Sequence, residues 1–382
     1  MRRPGYGGRV RSYLDAGGRA PVHPVAREAF LAALDEGWSD PRRLHAEGRR
    51  ARLLLDGARE ALAAALGART PEVHLTASHT AALHAGVAAI ATARRRAGRR
   101  AVVSAVERAA VLAGAAHATD VVTRVPVDRL GRVDIDTWRE ALGPDVALAA
   151  LQHANGEVGT VQPVEAAHEA AQAAGVPLLV DAGASLGHVA VGASWDALAA
   201  DPLDWGGMAG VGVLAVRSRV RTTLPGPEDE DPWAPGGVSV PAALAAAASL
   251  QAVLAGLDAA AGASWPLVER IRAAAASVPD VEVAGDPDAR LPHVVTFSCL
   301  YVDGEALVTE LDRRGFAVGS GSACTSSTLE PSHVLAAMGL LTHGNVRIAL
   351  SPAITGEDVE RFCAELPDAV RHVRGLAGVA DL

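Results

Sequence analysis

A thiol among small residues is the clearest chemically active group in this sequence of 382 residues. Cys324 stands between Ala323 and Thr325, in a Gly- and Ser-rich stretch whose small side chains let a loop bend and leave the sulfur accessible. Cys299 and Cys363 fall in strand-like and helix-like sequence, and we expect both to be inert apolar residues. Because the three cysteines lack CxxC spacing, neither a disulfide framework nor a metal site is expected.

Lysine is absent from the chain, and all 35 basic residues are arginine. A preference for GC-rich codons accounts for a general replacement of lysine by arginine. It does not account for the loss of a lysine that catalysis requires. Without a primary side-chain amine, the chain cannot form an imine with the carbonyl group of a ligand.

The charge balance excludes some classes of partner. The chain has 44 acidic residues and a formal net charge of -9, with no basic stripe of the kind that nucleic acid requires. No apolar run has the length of a signal peptide or a membrane span. We therefore expect a cytoplasmic protein with no nucleic-acid partner and no membrane partner.

Helical and strand patterns alternate along the chain, which predicts an α/β fold with a mainly parallel sheet. Polar or Gly-containing turns close several of the strands, where such folds place ligands. We predict a large domain over residues 13–260 and a small domain over 261–382 together with 1–12. The Pro-, Gly- and acid-rich segment 222–237 is predicted to be a loop. Helices are predicted over 24–36, 49–65 and 241–257, and strands over 73–76, 101–104, 121–125, 147–151 and 177–180.

Several segments resemble those of one family and occur in the family's order. The most specific is GSACTSSTLEPSHVL at 321–335. The others are YLDAGGRAP at 13–21, DPRRLHAEGRRAR at 40–52, ANGEVGTVQP at 154–163, VDAG at 180–183, WGGMAGVGVLAVR at 205–217 and VDGEAL at 302–307. The sequence thus resembles the cysteine desulfurases, which have the class V aminotransferase fold. The resemblance implies a seven-stranded, mainly parallel sheet in the large domain and a smaller α+β C-terminal domain.

Cysteine desulfurases hold pyridoxal phosphate on a lysine, and a thiolate removes the sulfur of substrate cysteine to leave a persulfide and alanine. The resemblance assigns the persulfide thiol to Cys324. It assigns the partner of the pyridine nitrogen to Asp181, a neighbour of the ring oxygen to Asn155, a phosphate contact to Thr80 and the substrate carboxylate to Arg347. The residues alone also allow a turn or N-cap role for Asp181, a turn role for Asn155, an N-cap role for Thr80 and a surface ion pair for Arg347.

Other family positions are changed. Asp204 stands where the lysine is expected, and a carboxylate forms no imine. Arg108, preceded by Glu107, falls where a histidine stacks on the ring, and its high pKa makes it unsuitable as a base. Ala184 follows VDAG, where the family has a glutamine after VDAA. His79 lies in the segment that replaces the glycines of the phosphate loop. In addition, an acidic segment ending near Val238 replaces the Arg-bearing loop that the family donates across its dimer.

These changes predict that pyridoxal phosphate, the family cofactor, is not bound covalently and is absent or weakly held. Our first hypothesis is a sulfur-transfer protein that carries a persulfide on Cys324 or pairs with a pyridoxal-competent paralogue. The second is an enzyme with a different ligand in the altered pocket, in which His79 and Asp204 form an acid–base pair beside Arg108. The third is a purely structural subunit. Expected partners are a sulfur acceptor protein or the paralogue, in a homodimer or a heterodimer.

Overall fold

The computed structural model describes residues 11–226, 229–320 and 331–379. Twelve strands lie in these ranges, and most are short and buried, as expected for strands covered by helices on both faces. They are Ser12–Tyr13 (β1), Val73–Thr76 (β2), Arg100–Ser104 (β3), Val121–Val125 (β4), Val146–Gln152 (β5), Leu178–Asp181 (β6), Ala197–Ala200 (β7), Gly212–Val216 (β8), Val281–Ala284 (β9), Val294–Cys299 (β10), Phe316–Ala317 (β11) and Asn345–Ala349 (β12).

Eleven α-helices and a short 3-10 helix, Thr70–Glu72, lie in the same described ranges. Many begin at a side chain that accepts a hydrogen bond from a free backbone amide, such as Asp303 and Thr355. The helices are Pro24–Glu36 (α1), Ala46–Ala65 (α2), His79–Arg94 (α3), Ala109–Ala118 (α4), Ile135–Ala141 (α5), Val164–Ala173 (α6), Val240–Ala255 (α7), Leu257–Ala276 (α8), Gly304–Arg313 (α9), His333–Ala337 (α10) and Gly356–Leu376 (α11).

Seven strands form the large sheet, in the order β2-β8-β7-β6-β5-β3-β4. All neighbouring pairs are parallel except the two that involve β8. The carboxyl ends of β3, β6 and β7 therefore lie at one edge of the sheet, where the chain continues into Glu107, Asp181 and Asp204. The predicted α/β fold with a mainly parallel seven-stranded sheet is confirmed.

A smaller three-stranded antiparallel sheet, β12-β10-β9, packs with α8, α9 and α11 around a second apolar core. Strand β1 pairs with β11, so the beginning of the described chain joins this C-terminal part. Helix α8 begins directly after Gly256. The domain boundary that we predict after residue 260 would fall inside α8, and the division into two domains stays a prediction.

The predicted elements agree with the structure except at their ends. Helix α2 begins at Ala46 rather than 49, because His45 Nδ1 accepts the Gly48 amide and caps it. Helix α7 ends at Ala255 rather than 257, because Gly256 interrupts it and the chain bends by 72° into α8. In the described parts of 222–237 there is neither helix nor strand, as predicted.

In the described ranges, no helix taken singly is long and apolar enough to cross a membrane. Only α7 and α8 taken together, despite the bend between them, satisfy the criteria of length and composition.

Candidate functional site

A cavity of about 710 Å³ lies at the carboxyl edge of the large sheet and reaches the C-terminal part of the chain. The side chains on its wall are mostly polar or charged. They include Glu107, Arg108, Asn155, Asp204, His293 and Arg347. Asn155, Arg108, Asp204 and Arg347, which the sequence singles out, are therefore brought together around one space.

Asp181 is buried at the end of β6 and is contacted by the side chains of Arg108 and His79. Nε of Arg108 donates to its Oδ2 at 2.8 Å. Nε2 of His79 lies 2.9 Å from its Oδ1, which also accepts the Gly183 amide at 2.8 Å. Burial raises the pKa of Asp181, but Arg108 and His79 outweigh it, so the pKa lies well below its usual range. Both oxygens of this carboxylate are thus occupied by groups of the chain itself.

Room for His79 comes from Gly183. A Cβ at position 183 would lie 2.3 Å from Cε1 and 2.7 Å from Nε2 of His79. Because heavy atoms do not approach so closely, the imidazole could not keep its place beside an alanine. His79, the first residue of α3, can reach Asp181 only because residue 183 is glycine.

Glu107 lies between β3 and α4 and has no solvent exposure. Its Oε1 accepts the Gln152 amide at 2.6 Å, whereas Oε2 has no hydrogen-bond partner among the described residues. Burial, together with the charge of Asp181, raises the pKa of Glu107 well above its usual value. Glu107 at the cavity wall therefore holds its proton more strongly than an ordinary carboxyl group.

Asp204 is buried in the turn after β7, beside two histidines. Its Oδ1 accepts the Gly18 amide at 2.7 Å, and its Oδ2 lies 3.1 Å from Nε2 of His188. The rings of His188 and His293 stack with their centroids 3.7 Å apart. Burial lowers the pKa of His188, but the charge of Asp204 outweighs it and the pKa is raised. Burial and the charge of His188 lower the pKa of His293 well below its usual value.

His79 and Asp204 do not form the acid–base pair that our second hypothesis assumed. In the described part of the chain, His79 pairs with Asp181 and Asp204 pairs with His188. The physical reason is that Asp181, at the end of β6, faces the start of α3, whereas Asp204 faces the loop that carries His188. Of the three residues in that hypothesis, Arg108 and His79 both contact Asp181, whereas Asp204 contacts His188.

Arg347, in β12, lies on the cavity wall and makes the ion pair that its sequence also allowed. Its Nη2 donates to Oδ1 of Asp15 at 2.8 Å. Its Nε is buried and has no hydrogen-bond partner among the described residues. One edge of the guanidinium thus remains available for an anionic ligand.

The side-chain amide of Asn155 is used within its own turn. Its Oδ1 accepts the amides of Glu157 and Val158 at 2.9 Å each, and its Nδ2 donates to the backbone oxygen of Val106 at 3.1 Å. Asn155 therefore fixes the shape of the cavity wall, whatever ligand the cavity takes.

Thr80 is the second residue of α3 and is exposed. The N-cap role that we considered for Thr80 is wrong, because Ser78 is the N-cap and its Oγ accepts the Ala81 amide at 3.1 Å. This hydrogen bond uses one of the amides that an anion at the helix start would need. The cavity wall contains neither Thr80 nor Asp181 among the described residues.

Comparisons with known proteins agree with this geometry. A family model described as aminotransferase class-V matches residues 12–362. The chain belongs to this family.

Relatives in the family include a cysteine desulfurase of Cereibacter sphaeroides, 35% identical over 96% of this chain and 97% of the relative. A cysteine desulfurase of Dictyoglomus turgidum is 32% identical, with 96% of each chain covered. Among solved structures, a NifS-like protein superposes with a TM-score of 0.87 at 24% identity, covering 95% of this chain and 100% of that one. DndA from Streptomyces lividans has a TM-score of 0.74 at 27% identity, covering 88% and 99%. The resemblance to cysteine desulfurases is therefore confirmed.

The residues present at the family's cofactor position do not fit pyridoxal phosphate. The chain has no lysine to bind the aldehyde, and Asp204 stands where the family resemblance would place one. Arg108 donates to one oxygen of Asp181 and His79 lies against the other, so neither oxygen is open to a pyridinium N–H. Ala184 on the cavity wall has no hydrogen-bonding side chain to offer a ring oxygen.

Cys324 lies outside the described residues. Cys299 is buried in β10, and burial raises its pKa to about 12. Burial likewise raises the pKa of half-buried Cys363, in α11, to about 11. Both are poor thiolates, in agreement with the inert role that we expected for them.

Sequence reasoning did not find His188 and His293, although both stand beside Asp204. Neither lies in a metal-binding or catalytic motif, and they are 105 residues apart by their numbers. The one available signal was Asp204 itself, since a carboxylate buried in place of a lysine requires a new partner.

Proposed function

We propose that this chain acts in sulfur transfer without pyridoxal phosphate chemistry, either by carrying a persulfide on Cys324 or by assisting a pyridoxal-competent cysteine desulfurase. The observation that carries this proposal is the arrangement at Asp181, whose two oxygens are held by Arg108 and His79. Asp204 in place of the lysine supports the same conclusion. A desulfurase reaction by this chain alone would require both positions to be different.

The transfer needs no external oxidant or reductant. The Cys324 thiolate attacks the terminal sulfur of a donor persulfide, the donor's S–S bond breaks, and a new S–S bond forms on Cys324. The donor leaves as a thiolate and takes up a proton. A second thiol then removes the terminal sulfur from Cys324 by the same exchange. The cofactor-dependent step that releases alanine would take place on another protein.

The cavity favours a ligand-binding role over a purely structural one. Arg347 presents a buried Nε there, and Glu107 presents a buried Oε2, both without a hydrogen-bond partner among the described residues. Buried polar atoms without partners are costly, and a ligand that pairs with them would remove that cost. The second candidate function is therefore an altered pocket that binds a small anion beside Arg347.

The deciding experiment separates sulfur generation from sulfur transfer. Purified protein is incubated with ³⁵S-labelled cysteine and pyridoxal phosphate, with and without a catalytic amount of an active cysteine desulfurase. We expect no alanine and no label without the desulfurase. With it, we expect label on the peptide that contains Cys324, and transfer of that label to an added thiol acceptor.

Cys324→Ser is the test variant, and Cys363→Ser is the matched control. We expect the first to abolish labelling and the second to leave it unchanged, because the Cys363 thiol has a raised pKa. Alanine release by the protein alone would overturn the proposal. Equal labelling of both variants would show that Cys324 is not the carrier.

We also propose a dimer in the cytoplasm, with either a second copy or a paralogue. Large apolar side chains exposed in and between α1 and α2 support a partner at this part of the chain, since burying them on association is favourable. They include Leu34, Trp38, Leu44 and Leu53. Light scattering of the purified protein, alone and mixed with the desulfurase, tests this. A monomer in both samples would contradict it.

A further inference from the structure

His188, Asp204 and His293 form a buried cluster, and the sulfur-transfer proposal draws on it only in that Asp204 is not a lysine. One nitrogen or oxygen atom from each residue lies within 4.8 Å of the others. Asp204 and His293 are 1% and 3% exposed. His188 and Asp204 lie in separate loops, and His293 directly precedes β10. Folding of both parts of the chain is therefore needed to bring the three residues together.

Nδ1 of His293 is buried and has no hydrogen-bond partner among the described residues. Oδ2 of Asp204 has one close contact, with Nε2 of His188 at 3.1 Å, and that nitrogen also lies 3.2 Å from the backbone oxygen of Asp204. A buried polar atom without a partner is costly. The loss is removed when a cation binds between these atoms.

We propose that His188, Asp204 and His293 bind a divalent transition-metal ion, with zinc as the expected ion. Two imidazoles and one carboxylate are the donor set of catalytic zinc sites, in which a fourth position stays open. Asp204 and His293 both line the cavity, so an ion between them can exchange with solvent and present its open position to a ligand. This site is independent of the sulfur-transfer proposal.

Binding requires a local movement of one ring. Stacked rings at an interplanar angle of 19° point their nitrogen lone pairs side by side rather than at one centre. In a tetrahedral zinc site the donor atoms are about 3.3 Å apart, so the cluster has to contract. Rotation of His293 is the smallest such change, because its Nδ1 has no hydrogen bond to break.

The test is zinc titration of tag-free, chelator-treated protein by isothermal calorimetry, carried out in the Cys324→Ser background so that a reactive thiol does not bind the metal. We expect one zinc ion per chain with a dissociation constant in the micromolar range or below. We expect His293→Gln and Asp204→Asn each to weaken binding at least tenfold. His168→Gln is the matched control, because His168 is also buried beside an aspartate, Asp196.

X-ray absorption of the zinc-loaded protein provides a second measurement that does not depend on variants folding. We expect two imidazole ligands and only nitrogen or oxygen donors. Fewer than one zinc ion bound per chain at about a hundredfold excess of zinc would overturn the proposal. An equal loss in His168→Gln and His293→Gln, or sulfur in the first shell, would do the same.

Discussion

Nε of Arg108 lies 2.8 Å from Oδ2 of Asp181, so an arginine occupies one oxygen of this buried carboxylate. A lysine introduced at position 204 would restore only half of the family's cofactor site. We therefore expect Asp204→Lys to show no aldimine absorbance with added pyridoxal phosphate. Asp204→Lys combined with Arg108→His should show a weak band, because the second change frees Asp181 and supplies a ring that can stack on the cofactor.

Asp201→Lys combined with Arg108→His is the control for this experiment, since it places a lysine in the same turn at a different position. It should remain without the band. Absorbance in Asp204→Lys alone would show that Arg108 does not block the site. Thermal unfolding of each variant identifies any that fail to fold.

Gly183→Ala should destabilise the protein by about 1–3 kcal/mol, because the new methyl group overlaps His79. In a His79→Ala background the same change should cost much less, since the overlapping ring is gone. Urea unfolding of the four proteins in this cycle gives the coupling free energy. Independent, additive effects would mean that His79 does not pack against Gly183 in solution.

Glu107→Gln tests whether the pKa of the buried acid is raised in the folded protein. Because the pKa of Glu107 is raised in the folded protein, the folded state keeps a proton that the unfolded chain releases above its usual pKa of about 4.3. The free energy of unfolding of the wild type therefore falls as pH rises through this interval, by at most about 1.4 kcal/mol per pH unit. Glutamine carries no such proton, so the stability of the variant relative to wild type should increase with pH between 5 and 8. A difference that does not change with pH would refute this.

Native alkylation should separate the three cysteines. At pH 8 the raised pKa values of about 12 for Cys299 and about 11 for Cys363 leave about one thiolate in ten thousand and one in a thousand. We expect iodoacetamide to label the Cys324 peptide first, and the other two only after unfolding. Mass spectrometry of peptides over a time course measures the order. Early labelling of Cys299 would indicate that β10 opens readily.

The fold could be predicted from the sequence because alternating apolar runs and polar turns are local signals. These signals predicted the α/β class and five strands of the large sheet to within one residue at each end, whereas the seven-stranded sheet was implied by the family resemblance. The larger differences, at residues 46 and 255, depend on a histidine cap and one glycine, and such choices are weakly encoded.

The candidate site was only partly predictable. Asp204, Arg108 and Arg347 were found because they stand at known positions of a resembling family, and the structure places them around one cavity. Their pairing was not predictable, since His79 reaches Asp181 only through the space at Gly183. The histidines beside Asp204 come from distant segments without motifs, so only the three-dimensional structure could reveal them.

Ser320 is buried and its Oγ donates to Asn345 at 2.9 Å, while Ser332 on the cavity wall donates to Glu157. The chain is therefore anchored by side-chain hydrogen bonds on both sides of the segment that contains Cys324. Replacing either serine by alanine would loosen one anchor and leave the thiol itself unchanged. The rate at which sulfur is passed to a recipient could thus be altered separately from the capacity of the chain to carry it.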